Sequence, residues 1–191
     1  MKRVGVFCLC MAAVLAGGYA ATGEFERVES VPAGVTAVTV DGGRVYAAAG
    51  NDLFVRAEGR KRFRQLVSIK GGDAGIRYLL GTSEGLLIAG STGLYRMASD
   101  AASPETLWRQ PRAEEGWSGV YHVLEDRNRL YLSTDSGVYV RAQREGGFTR
   151  MDVLGRDTAV YWTQTLGPDV LICATSGGVY RIAGDGQDVR R

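Results

Sequence analysis

The sequence predicts an all-β fold, a β-propeller of four four-stranded blades, and three observations support this prediction. First, four copies of one pattern begin at residues 35, 76, 120 and 161, so they follow one another at intervals of 41, 44 and 41 residues. Second, each copy consists of short apolar runs separated by Gly, Asn and Asp turns. Third, no stretch after residue 20 has helical spacing of apolar residues without glycine interruptions. A period near 41 residues is typical of propeller blades, and the alternative, a β-sandwich, does not explain it.

Each copy carries an aromatic residue at a fixed distance from its start, on the third predicted strand. These residues are Phe54, Tyr95, Tyr139 and Tyr180. We expect them to be equivalent, each packed against a neighbouring blade. A fourth, outer strand is predicted after each of them, near residues 63–66, 107–109, 148–150 and 188–190. In the first copy Asp52 stands where the others have glycine, and we expect it to take the left-handed backbone conformation that Asp tolerates.

The first 20 residues have the pattern of a secretory signal peptide. Met1 to Arg3 form a basic start, residues 4–16 are apolar, and Gly18 and Ala20 are small. The apolar run is short for a membrane span, so we expect cleavage after Ala20 rather than an anchored helix. The mature protein would then be periplasmic or extracellular, without a membrane anchor.

The charge balance excludes some partners. Of 23 basic and 21 acidic residues, cleavage would remove Lys2 and Arg3 and leave 21 of each. A neutral chain argues against a nucleic-acid partner. Cys173 would be the only cysteine left, so no internal disulfide can form, and we expect it to be a buried small apolar residue. His122 is the only histidine, which excludes a His-based metal cluster. We predict no metal and no cofactor.

We divide the chain into a signal peptide (1–20), an N-terminal segment (21–34) and a repeat domain (35–191). Phe25–Val28 alternates like a short strand, and 187–190 is short and polar. We therefore expect Phe25–Val28 to close the ring as the outer strand beside Leu171–Arg181. The sequence leaves two architectures open, a small closed ring of four blades and an incomplete propeller that needs a partner or a lost continuation.

The candidate binding residues lie on or next to the predicted first strands, which line the channel of a propeller. They are Arg77, Tyr78, Trp117, Tyr121, His122 and Trp162. Exposed aromatic side chains there would suit a sugar, a peptide or an aromatic ligand, and core packing between blades is the alternative. The sequence contains no Gly-x-Ser-x-Gly elbow and no phosphate-binding loop, so we assign no catalytic residue.

The third and fourth copies resemble known propeller repeats. The pattern apolar-x-x-x-Thr-x-x-Gly-Val-Tyr at Leu130–Tyr139 and Leu171–Tyr180 looks like the blades of Asp-box (BNR) sialidase-type propellers. It is also similar to the repeats of photosystem II assembly factors and of two-component sensors. The resemblance covers roughly residues 25–190 and implies a propeller. Only Asp185 and Gly186 remain of the Asp-box turn, and the arginine triad and tyrosine nucleophile of sialidases cannot be assigned.

Three function classes remain open. We favour an exported, non-catalytic propeller that binds a protein partner or assists assembly, because no catalytic constellation is found. A glycan-binding or small-molecule-binding propeller is the second class, and a propeller-type glycoside hydrolase or lyase is the third. Fold resemblance does not decide among them.

Overall fold

The structure, a computed structural model, describes an all-β chain. It covers residues 30–31, 33–69, 75–98, 103–109, 119–142, 146–155, 158–167, 170–183 and 188–191. The signal peptide, Phe25–Val28 and Trp117 lie outside these residues, so the expectations about them stay predictions. Within the described ranges there is no helix that could cross a membrane.

The described residues form sixteen strands in four antiparallel sheets, and the strands of each sheet lie in chain order. Blades 1 and 2 contain β1 Val35–Asp41, β2 Arg44–Ala49, β3 Asp52–Ala57, β4 Arg64–Ser68, β5 Ile76–Thr82, β6 Gly85–Gly90, β7 Gly93–Met97 and β8 Glu105–Arg109. Blades 3 and 4 contain β9 Val120–Asp126, β10 Arg129–Thr134, β11 Gly137–Ala142, β12 Thr149–Met151, β13 Val160–Thr165, β14 Val170–Thr175, β15 Gly178–Ala183 and β16 Asp188–Arg190.

Successive blades meet through their first strands. β1 lies against β5, β5 against β9, and β9 against β13. First strands that line a common axis, with three further strands radiating from each, are the arrangement of a propeller. The prediction of four four-stranded propeller blades is confirmed.

The predicted equivalence of the four aromatic positions is confirmed, and the predicted packing against a neighbouring blade is seen for three of them, whereas Phe54 is buried but belongs to none of the cores between blades. Phe54, Tyr95, Tyr139 and Tyr180 are each the third residue of a third strand. The ring of Tyr139 packs on Trp108 of the preceding blade, with 5.0 Å between ring centroids. Tyr95 and Tyr180 also contact the cores shared with their preceding blades.

The predicted outer strand of blade 4 is present as β16, although its short polar sequence made it a poor candidate to complete the blade by itself. Asp188–Arg190 pairs with Arg181–Ala183 of β15. An outer strand faces solvent, so polar side chains do not disfavour it, and Asp188 accepts hydrogen bonds from Arg181 and Arg190. At the other end of the chain, the backbone N–H of Phe63 donates to Ser30 Oγ at 3.0 Å, which places residue 30 beside the outer part of blade 1.

Two turns illustrate why glycine is needed at some positions and not at others. Gly75 has a φ of +73°, and a Cβ there would lie 2.6 Å from the carbonyl oxygen of Gly50 in the preceding blade. The expectation for Asp52 is wrong, because Asp52 is not among the positive-φ residues and Gly50 takes that conformation instead. The carboxylate of Asp52 accepts a hydrogen bond from Gln65 Nε2 across β3 and β4 at 3.0 Å.

Three apolar cores hold the blades together, one between each pair of successive blades. We call the side of a blade toward the preceding blade its head face and the other side its tail face. In the first core, Ile76 and Leu79 of the head face of blade 2 lie with Tyr46 and Leu53 of the tail face of blade 1. Cys173 is buried in the third core, as predicted, and this burial raises the pKa of its thiol to about 12. No core among the described residues joins blade 4 to blade 1.

Candidate binding surfaces on the first strands and the end blades

Each first strand contains one extra residue at the same place in its pairing with the second strand. These bulge residues are Thr36, Arg77, Tyr121 and Tyr161. A bulge aims its extra side chain away from the regular alternation of the strand. In blades 2 to 4, the bulge residue and the residue after it each contact their counterparts on the next blade.

The bulge also corrects the predicted register of blade 4. The residue equivalent to Ile76 and Val120 is Val160, not Tyr161, because Val160 pairs with Thr175 and the shift falls between Val160 and Trp162. Val160 is fully buried, whereas Tyr161 is about half exposed. The last interval between copies is therefore one residue shorter than the sequence pattern indicated.

The bulge residues Arg77, Tyr121 and Tyr161 form a row across blades 2 to 4, which we call the bulge row. The guanidinium carbon of Arg77 lies 4.7 Å from the ring centroid of Tyr121, a cation–π distance. Tyr121 and Tyr161 meet edge to face with 5.4 Å between centroids. Arg77 Nη1 is buried without a hydrogen-bond partner among the described residues. Gly119 makes room for this arginine, because a Cβ there would lie 2.5 Å from Arg77 Nη1.

The next residues, Tyr78, His122 and Trp162, form a second row, which we call the ring row. His122 stacks on Trp162 with 3.7 Å between centroids, and Tyr78 meets His122 at 4.6 Å. His122 is only 2% exposed, and burial lowers the pKa of its imidazole from 6.5 to about 4. Its Nδ1 has no hydrogen-bond partner in the described part of the chain. Burial also raises the pKa of the Tyr78 hydroxyl.

The structure thus brings together five of the six predicted site residues, namely Arg77, Tyr78, Tyr121, His122 and Trp162. Trp117 lies outside the described residues. Tyr161 was not among the predicted site residues, because the repeat pattern makes it the start of the fourth copy rather than a bulge residue. The signal was present in the sequence, since three copies have a pair of large side chains after the opening apolar residue.

The two rows offer recognition chemistry rather than reaction chemistry. They contain one cation, neutral aromatic rings and an imidazole that is uncharged at neutral pH, but no carboxylate. Tyr161 and Trp162, at the blade 4 end, are each about half exposed. In the described ranges no group of three or more His, Cys, Asp or Glu side chains is placed to hold a metal ion.

The head face of blade 1 exposes apolar side chains that later blades bury. Val38 pairs with Ala47 as Leu79 pairs with Ile88 and Val123 with Leu132. Val38 is 54% exposed, whereas Leu79 and Val123 are 4% and 1% exposed. Val35 and Val40 on the same strand are exposed too. Phe54 on β3 is buried, so the exposed part of this face runs along β1.

The tail face of blade 4 shows the same contrast. Val179 is the second residue of β15, at the position of Leu53, Leu94 and Val138 in the other third strands. Val179 is 61% exposed, whereas each of the other three is 0% exposed. Trp162 of the ring row belongs to the same face. Both ends of the blade array therefore present apolar surface of the kind that forms cores inside it.

Comparison with solved structures confirms the fold. The extracellular domain of the hybrid two-component system BT4673 from B. thetaiotaomicron matches with a TM-score of 0.72 and 16% identity, over 84% of this chain and 22% of that chain. The chain therefore shares the fold of that domain. Its repeat pattern resembles two-component sensor repeats, and this resemblance is confirmed at the level of fold.

Two further structures extend the comparison. YCF48 from Cyanidioschyzon merolae matches with a TM-score of 0.53 and 15% identity, over 76% of this chain and 49% of that chain. PorZ, a surface component of the type-IX secretion system of Porphyromonas gingivalis, matches with a TM-score of 0.57 and 15% identity, over 81% of this chain and 21% of that chain. The chain thus spans half or less of each of these three proteins. No protein-family model and no curated protein matches the sequence.

Proposed function

We propose that the protein is an exported, non-catalytic propeller module that acts by binding another protein through its end faces. The observation that carries this proposal is the exposure of Val38 and Val179 at positions that the inner blades bury. Contiguous apolar surface on a soluble protein usually marks an interaction site. The apolar side chains exposed at the two ends are those a blade uses to bind its neighbour.

Export is the second part of the proposal. The pattern of residues 1–20 is that of a signal peptide. Among the structural neighbours are an extracellular sensor domain and an essential bacterial surface component of a secretion system. These descriptions concern those proteins. They support the proposal that this chain also works outside the cytoplasm.

The absence of catalysis is the third part. General acid–base catalysis needs a group whose pKa lies near the working pH, and the pKa of His122 is about 4. None of the six row residues is a carboxylate, so the rows have no acid–base pair. The surface fits binding better than proton transfer.

Site-specific photo-crosslinking in the producing cell tests the protein-binding proposal. A photoreactive amino acid is placed at Val38 and, in a second variant, at Val179. Matched controls carry it at Thr106 and Thr149, exposed positions on the outer strands of blades 2 and 3. We expect adducts of defined mass from the two end faces and none from the controls. End-face positions that crosslink no more than the controls would refute the proposal.

The exposed end of the two rows favours a second candidate function, the binding of a glycan or a small aromatic ligand. Tyr161 and Trp162 are each about half exposed, and Tyr161 contacts Tyr121, on which the Arg77 guanidinium packs. Exposed aromatic faces near a polar group suit such ligands. Titration with a panel of soluble oligosaccharides, followed by tryptophan fluorescence, tests it. We expect a saturable change that Trp162→Ala removes. A response that persists in this variant would exclude the rows as the site.

A further inference from the structure

Resting on the proposed function, we infer that the partner at the end faces is a second copy of this chain. The head face of blade 1 in each copy packs on the tail face of blade 4 in the other. Two chains of four blades then form one ring of eight, which is within the range in which propellers close.

The inner interfaces supply the first argument, because all three have the same construction. In each, the first strand of one blade contributes its head-face residues to a core with the second and third strands of the preceding blade. The head-face residues are Ile76 and Leu79 in the first core, Val120 and Val123 in the second, and Val160 in the third. Blade 1 has Val35 and Val38 at these positions, so it has the residues for such a core but no described blade against it.

The tail face of blade 4 is the complementary half of the same construction. Val179 stands where Leu53, Leu94 and Val138 complete the three existing cores. One cross-blade pair is seen directly, since Ser133 Oγ of blade 3 donates to Thr163 Oγ1 of blade 4 at 3.1 Å. Ala174 has the register position of Ser133, and Val38 has that of Thr163. The corresponding pair at the new junction is therefore Ala174 with Val38, which is apolar like the pair Ala89 and Val123 of the second core.

Symmetry supplies the second argument. A head-to-tail contact repeats until the rotation closes, and two copies close it with a two-fold axis and two identical junctions. A contact of head face with head face would bury one apolar face of each chain and leave the other exposed. Only the head-to-tail arrangement covers Val38 and Val179 together.

The solution mass of the purified protein is the first test, measured by light scattering coupled to size-exclusion chromatography. We expect two chains per particle. Val38→Asp and Val179→Lys should each give a single chain, because either one places an unpaired charge in both junctions. The controls Thr106→Asp and Thr149→Lys should keep the two-chain mass. Circular dichroism checks that the variants stay folded, as expected for positions that are already exposed.

Mixing the two variants is the decisive test. In a head-to-tail ring of one Val38→Asp chain and one Val179→Lys chain, one junction is native and the other joins Asp to Lys. We therefore expect the equimolar mixture to regain the two-chain mass. A single-chain wild type, larger open assemblies, a dimer that survives either variant, or a mixture that stays single-chain would overturn the inference. Photo-crosslinks from both end faces to a different protein would then leave the proposed function standing, whereas their absence would remove both.

Discussion

His122 stacks on Trp162 and meets the ring of Tyr78 edge to face. Because its imidazole is buried there, we expect the stability of the protein to depend on pH. Its pKa in the folded protein is about 4, against 6.5 for an unperturbed imidazole. Between these values the unfolded chain binds the proton more readily, so the free energy of unfolding falls as the pH is lowered through this window. The contribution of the uncharged His122 imidazole to the free energy of unfolding is complete above pH 6.5.

We expect the wild type to lose on the order of 1–2 kcal/mol of stability between pH 7.5 and pH 5. His122→Phe keeps a ring in the stack and removes the titrating group, so its stability should change less over the same range. Urea unfolding at several pH values measures the difference. Parallel profiles for the two proteins would show that His122 is not the group responsible.

Tyr139 tests the assignment of the four aromatic positions. Its ring is partly buried in the second core, where it packs on Trp108 of the preceding blade. Truncation of a fully buried aromatic side chain costs about 3–5 kcal/mol, so we expect a cost toward the lower end of that range. Tyr139→Ala should therefore lower the melting temperature strongly. Tyr139→Phe retains the ring contact and should change it little. Equal melting temperatures for the Ala variant and the wild type would contradict the packing.

Some residue-level features were readable from the sequence and others were not. The third-strand aromatics were predicted because their distance from the start of each copy is constant. The register of Val160 was not, because the copies were expected to keep one internal spacing, whereas blade 4 has one more residue between the starts of its first and third strands than the other blades. Tyr161 was missed for this reason.

At the scale of strands and blades, the interface between blades 3 and 4 differs from the others by one polar pair. Ser133 and Thr163 are both 0% exposed and bond to each other. Thr163→Val removes the acceptor and leaves a buried hydroxyl on Ser133, which costs about 1–3 kcal/mol. The double variant Ser133→Ala, Thr163→Val recreates the pair Ala89 and Val123 of the preceding interface.

We expect the double variant to be more stable than Thr163→Val alone, because no hydroxyl remains buried without a partner. A double-mutant cycle from urea unfolding gives the coupling between the two positions. If the losses of unfolding free energy in the two single variants add up to the loss in the double variant, the two hydroxyls are not coupled.

The sequence predicted the blades well and the ends of the array poorly, for a physical reason. Strand position follows from local apolar runs and turn residues, which every copy contains. Whether Val38 is buried depends on whether another blade packs against blade 1. The sequence does not reveal this, because the same apolar residue type occurs at covered and at uncovered positions. A closed ring and an incomplete one therefore have the same repeat pattern. Likewise, the polar sequence of β16 made it a poor candidate to complete blade 4, although polar side chains are suited to an outer strand that faces solvent.

At the scale of the whole molecule, we expect the protein in the native envelope to begin near Ala21. The basic start, the short apolar run and the small residues before this position motivate the expectation. Intact-mass measurement of protein recovered from the producing organism decides it. A mass that retains residues 1–20 would contradict both cleavage and the export pathway that we propose.

Blade 1 carries Thr36 and Ala37 where the other blades carry the members of the two rows, so both rows stop there. Thr36 uses its hydroxyl to donate to the carbonyl oxygen of Ile76 at 2.6 Å instead. In a ring of two chains, each row would occur twice, interrupted at both junctions by these small side chains. The channel would then hold two identical clusters related by the two-fold axis. A ligand with two recognised groups, spaced to reach both clusters, would gain avidity on the ring that a single chain does not offer.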